Sequence, residues 1–144
     1  MTGFWKTWMQ VWCWAVLGFG AVLAVAVFPA ADAGAKLFYD LVHWPLDGQS
    51  SFVEETRFTV SILGCVTIGW AMTMLTCVAA ADALGAPVWR GFAAAIGTWW
   101  AIDSVASILA GVPGNAVSNT VIFALYLAPI LGSGVLRAPA PRAA

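Results

Sequence analysis

The 144-residue sequence predicts an all-α fold of polytopic membrane type, a bundle of four transmembrane helices with a short interfacial helix in its first outer loop. Three observations lead there. The chain is 62% hydrophobic and only 9% charged, whereas a water-soluble domain carries about 25% charged residues. Four apolar runs, at 8–28, 52–80, 87–109 and 116–136, each reach the roughly 20 residues needed to cross a hydrocarbon core of about 30 Å. These runs lack the alternation of barrel strands, and backbone polar groups in lipid must find partners within their own segment, so the runs are read as helices. At this length, residues 1–144 make a single membrane domain.

The first span follows Lys6 and closes at Pro29. A cleaved signal peptide is the alternative, because Lys6, an apolar run and the small residues around Ala31-Asp32-Ala33 imitate that layout. Against it, the run is longer than the usual apolar region of about 7 to 15 residues and is rich in Trp. In the loop that follows, Leu37, Phe38, Leu41 and Val42 recur at helical spacing, with Lys36 and Asp40 on another face. That pattern predicts a helix lying on the outer surface of the membrane and ending near His43-Trp44, ahead of Pro45.

Ser51-Phe52-Val53-Glu54 has the spacing of a capping box, which would start the second span and bring Arg57 inside it. Gly85 with Pro87 separates the second and third spans, and Gly111-Val112-Pro113-Gly114 joins the third and fourth as a tight antiparallel hairpin. Pro129 should kink the fourth span and free a carbonyl about one turn earlier. Close helix contacts are expected at Gly18 with Gly20, Gly64 with Gly69, and Gly91 with Ala95.

Loop charge sets the expected orientation. Lys6, Arg90, Arg137 and Arg142 flank one side, while the 29–51 loop holds Asp32, Asp40 and Asp47 against Lys36 alone. The positive-inside rule then puts both termini in the cytoplasm. Ala-rich, Arg-over-Lys composition suggests a bacterial chain, hence the cytoplasmic (inner) membrane. Six basic residues nearly balance seven acidic ones, which argues against a nucleic-acid partner.

Few side chains suggest chemistry. Asp103 is the one acid deep in a span, where an ionised carboxylate costs a few kcal/mol or more without partners. Its helix neighbours at helical offsets include Trp99, Trp100 and Ser107. Arg57 on the second span and Asn119 on the fourth fall in the same outer half, so an intramembrane cluster of Arg57, Asp103, Ser107 and Asn119 is expected. It reads either as a clamp, with Arg57 paired to Asp103, or as a proton, ion or small-ligand site. Trp70, Trp99 and Trp100 are candidate surfaces for a partner or ligand, while Trp5, Trp8, Trp44 and Trp89 fit an interfacial aromatic belt. Cys13, Cys65 and Cys77 form no CxxC pair, and His43 with its spaced carboxylates is a weak metal set, so neither a metal nor a cofactor is expected. A haem in the bundle would lack histidine ligands.

Arg57-Phe58, Leu63-Gly64 and Gly69-Trp70, followed by Trp99-Trp100-Ala101-Ile102-Asp103-Ser104 and Pro113-Gly114-Asn115 with Asn119, resemble a group of uncharacterised small four-helix bacterial membrane proteins. The resemblance covers roughly the last 90 residues; it implies the four-helix architecture and draws attention to Asp103, and it implies no reaction. The expected function is a non-enzymatic integral membrane subunit, packing with other membrane subunits or with itself in the lipid bilayer. The alternative is a small transporter or ion- or proton-conducting oligomer using Asp103.

Overall fold

A computed structural model describes residues 1, 3–44, 46–80, 83 and 85–137. The helices are α1 (Gly3–Ala24), α2 (Ala33–His43), α3 (Glu54–Ala79), α4 (Ala86–Leu109) and α5 (Pro113–Gly132), with short 3-10 turns at Val25–Val27, Pro29–Ala31 and Val135–Arg137. No strand occurs among the described residues. Four segments are long and apolar enough to cross a membrane: α1 extended to Val27, α3, α4 and α5.

Helix order across the bundle is α3, α1, α5, α4, with α1 along α3, α4 along α5, and α1 joining the two pairs. Gly20 and Gly64 explain the first pairing. A Cβ on Gly64 would lie 2.6 Å from the Gly20 carbonyl oxygen and 2.8 Å from Ala24 Cα, so only glycine lets these backbones meet. Gly69, the expected partner of Gly64, faces open space instead, as do Gly18 and Gly91; helix azimuth, not small size alone, selects which glycine is used.

The α4–α5 hairpin closes as a Schellman turn: Val112 N–H donates to Ser107 O (2.8 Å) and Gly111 N–H to Ile108 O (3.0 Å). Gly111 takes φ +78°, a conformation open to glycine at little cost. Pro113 then occupies the first turn of α5, where its missing N–H costs nothing. The helix therefore starts three residues before the apolar run that marks it in the sequence.

Pro129 lies inside α5 and cannot bond the carbonyl four residues back. That carbonyl belongs to Leu125, and the Trp8 indole donates to it at 3.0 Å. Trp12 repeats the contact one turn along, donating to Ile122 O at 3.2 Å. Two α1 tryptophans thus fasten α1 to the proline-bearing stretch of α5.

Two apolar clusters form the core. The larger one gathers Met9, Trp12, Cys13, Ala71, Met74, Trp89, Ile96, Tyr126 and Ile130 from all four long helices. A smaller one, of Leu23, Ala26, Ala35, Phe52 and Val60, lies where α2 meets the ends of α1 and α3. Trp89 is fully buried and sits at 5.8 Å, edge-on, from Phe92. This corrects its assignment to an interfacial belt: the ring packs within the larger core cluster.

Two further expectations change. Ser51 does not cap α3: the helix begins at Glu54, its N-cap is Val53, and no side chain caps it. The chain stays extended through Val53 because Phe52 turns into the smaller cluster. α2 ends at His43 as the sequence predicts, with Trp44 at φ +36°, a strained conformation for a bulky residue. Gly114 seats the end of α2 on α5, since a Cβ there would collide with the Val42 carbonyl group.

Candidate functional site: two polar clusters at the α2 end

Polar side chains gather at the end of the bundle that carries α2, in two clusters instead of one. The first is built on Arg57. Its Nη1 donates to Asp32 Oδ2 at 2.6 Å and to Ala26 O at 3.2 Å, and its Nη2 to Phe52 O at 3.4 Å. Lys36 adds a second ion pair to Asp32 Oδ2 at 3.0 Å. Asp32 is 4% exposed, and Lys36 foremost, with Arg57, holds its carboxyl below the usual carboxylate range. The cluster ties the start of α2 to α3 and to the end of α1, and its bonds to main-chain carbonyls satisfy irregular backbone between helices.

This corrects the pairing of Arg57 with Asp103. Arg57 belongs to the α1–α2–α3 junction, and its carboxylate comes from a loop residue that no span periodicity singles out.

The second cluster joins α4 and α5. Asn115 Nδ2 donates to Asp103 Oδ1 (3.2 Å) and to Ser107 Oγ (2.8 Å). Ser107 Oγ donates to the Asp103 main-chain oxygen at 2.7 Å and lies 3.2 Å from Asp103 Oδ1. Asp103 and Ser107 are thus together as expected, with Asn115 in the place assigned to Asn119. Asn119 is one helical turn further in, 4% exposed, and its Nδ2 has no partner; Ser104 Oγ is likewise buried without one. Eight other hydroxyls on the long helices, including those of Thr67, Thr98 and Thr120, donate to the carbonyl four residues back, the habit by which such groups satisfy themselves in apolar surroundings. Ser104 and, on α3, Ser61 depart from it.

The candidate tryptophans divide. Trp70 lies between Trp12 (5.6 Å, edge-on) and Trp99 (6.1 Å, tilted), bridging α1, α3 and α4 within the large cluster. Trp100 stacks on Phe123 at 5.0 Å and donates its indole to Thr120 Oγ1 at 3.1 Å. All three contact other helices of the same chain, and each remains partly exposed.

Among the described residues, no group of three or more His, Cys, Asp or Glu gathers as a metal set. His43 points Nδ1 at Tyr39 O (2.9 Å) and stacks on the Tyr39 ring. In comparisons with known proteins, no family profile, no curated protein and no solved structure matches this chain.

Proposed function

We propose that this chain is a non-enzymatic integral membrane subunit of the bacterial cytoplasmic membrane, with both termini in the cytoplasm, that packs against other membrane subunits or a second copy of itself. Membrane residence is supported by the large apolar side chains exposed along the bundle, among them Phe58, Val66, Ile102 and Val117, each about two-thirds exposed. Orientation is supported by basic charge: Lys6, Arg90 and Arg137 lie at one end, against Lys36 and Arg57, both paired with Asp32, at the other.

The observation that carries the subunit reading is a pair of unfilled seams. Gly20, Gly64, Gly114 and Gly132 each meet another part of the chain, but Gly69 and Gly91 meet nothing within 4 Å. Around them, Cys65, Gly69, Thr73 and Thr76 line an exposed stripe of α3, and Gly91, Ala94, Ala95 and Thr98 one of α4. Small-residue stripes are the surfaces on which helices approach one another in lipid, where backbone proximity and dispersion replace the hydrophobic effect. Glycine on a lipid-facing helix otherwise gains nothing and loses helix propensity.

The test is migration on a native gel after mild extraction. Gly69→Leu and Gly91→Leu should each leave the fold intact and shift the chain from a larger species towards the monomer. A wild type already monomeric, or seam variants that migrate as wild type does, would overturn the reading. The rival, a transporter or ion-conducting oligomer built on Asp103, draws support from the neutral surroundings of that carboxylate.

A further inference from the structure

Asp103 is an acid without a counter-charge. The hydrogen bonds that reach its carboxylate, from Ser107 and Asn115, come from neutral donors and both fall on Oδ1. Among the described basic groups, Lys36 and Arg57 pair with Asp32, while Lys6, Arg90 and Arg137 lie at the opposite end of the bundle. Asp103 stands six residues before the end of α4 at Leu109, about 9 Å along the helix, and is partly exposed. An ionised carboxylate at that depth in a span is costly unless a partner meets it.

The side of α4 that carries Asp103 opens on a groove. α3 and α4 are the two ends of the helix order, and their backbones stand apart along most of their length; they meet through Trp70 against Trp99, ring centroids 6.1 Å apart. Leu63 and Val66 precede Trp70 by seven and four residues, and Ile102, Asp103 and Ala106 follow Trp99 by three, four and seven. They therefore share the helix faces that bring the two rings together. Because α3 starts at the α2 end of the bundle and α4 runs towards it, both sets lie between the ring pair and that end. Leu63, Val66 and Ile102 are each more than half exposed there, so the facing sides of α3 and α4 are left uncovered above the tryptophans.

We propose that this groove seats a transmembrane helix of a different protein, and that a Lys or Arg of that helix pairs with Asp103. The occupant is argued from charge. Lipid chains would cover the apolar walls and leave the carboxylate uncompensated. The basic groups that a second copy in the same orientation would bring to this end, Lys36 and Arg57, are held by Asp32. A partner span with one basic residue at matching depth offsets both charges. In lipid, where apolar surfaces gain little by meeting, a polar pair of this kind gives one helix its preference for another. The pairing uses Oδ2, which the α4–α5 bonds leave open. It rests on the subunit reading and names the chemistry of one partner.

The test uses the purified full chain in lipid bilayers and a synthetic Leu-rich transmembrane peptide, labelled for energy transfer, with a single Lys about 9 Å from its end. Reference peptides carry Leu or Glu in place of that Lys. We expect the Lys peptide to associate about tenfold more tightly than the Leu peptide, and the Glu peptide less tightly than either. The Lys preference should vanish in Asp103→Asn and persist in Asp103→Glu. Ile102→Trp, which fills the groove and spares the carboxylate, should weaken the Lys peptide. Equal association of the Lys and Leu peptides, a Lys preference of the same size in Asp103→Asn, or Lys-peptide association unchanged by Ile102→Trp would each overturn the pairing. The three-peptide comparison on the wild type needs no variant, so it decides even if Asp103→Asn does not fold. The native gel reads assembly and the peptides read charge: a wild-type complex that survives on the gel with no Lys preference would overturn the pairing and leave the subunit reading standing.

Discussion

Gly64→Ala should open the tightest helix contact of the fold. A methyl group there would sit 2.6 Å from the Gly20 carbonyl oxygen, about 0.8 Å short of ordinary contact, and closer still to the Ala24 main chain. Neither obstacle is a flexible side-chain end, so α1 and α3 must part by most of that gap. A separation of 0.5–1 Å forfeits roughly a quarter to a half of each dispersion contact across the seam. The general cost of overpacking, about 1–3 kcal/mol, is then expected near its upper end. Gly69→Ala on the same helix meets nothing within 4 Å and is the matched control. Both variants share the gain in helix propensity of roughly 0.5–1 kcal/mol, so their difference isolates the clash. Reversible unfolding of the monomeric, detergent-solubilised chain should show Gly64→Ala less stable than Gly69→Ala by about 2–3 kcal/mol, a factor of roughly 30 to 150 in the folding equilibrium. Equal stability of the two variants would refute the α1–α3 crossing at Gly20 and Gly64.

Two further outcomes follow from the polar contacts. Because Lys36 and Arg57 depress the Asp32 carboxyl in the folded chain, its contribution to stability is present above the unfolded value of about 3.9 and is lost as pH falls through the lower native value. The Tm gap between wild type and Asp32→Asn should hold steady near neutrality and close on acidification below about pH 4; a gap that does not change with pH would remove Asp32 from the account. Trp8→Phe deletes the donor to the Leu125 carbonyl that Pro129 leaves unbonded, with an expected cost of about 1 kcal/mol. In the Pro129→Ala background, where residue 129 regains an N–H for that carbonyl, the same substitution should cost clearly less; additive effects would show that indole and proline are unrelated.

The architecture was legible because each signal was local. Apolar runs of span length, the Gly111–Pro113 turn, the periodicity of 37–42 and the carbonyl freed by Pro129 are each read within one contiguous segment of the chain. The donor that takes up that carbonyl was not legible, since Trp8 is more than a hundred residues away. The Arg57 partner was missed for a related reason. Depth along a span can be counted from sequence, which put Arg57 level with Asp103, but azimuth cannot, and α2 folds back so that Asp32 meets Arg57 from the α1 side. Asp103 with Ser107 was recovered from their spacing of four. Asn115 and Asn119 lie one turn apart on the same face, so the hairpin geometry alone decided which amide bonds the carboxylate and which is left without a partner. Trp89 was misplaced because position near a helix end predicts an interface, whereas the larger cluster extends to that end of the bundle.

The four-span arrangement, on which the proposed function rests, is tested most directly by mapping which side of the membrane each loop occupies. Single reporter residues placed at Asp47, in the 80–85 connection, at Gly111 and after Arg137 should label from outside, inside, outside and inside, with the native N-terminus retained inside. Labelling of every position from one side, or an N-terminus removed and three spans left, would contradict it.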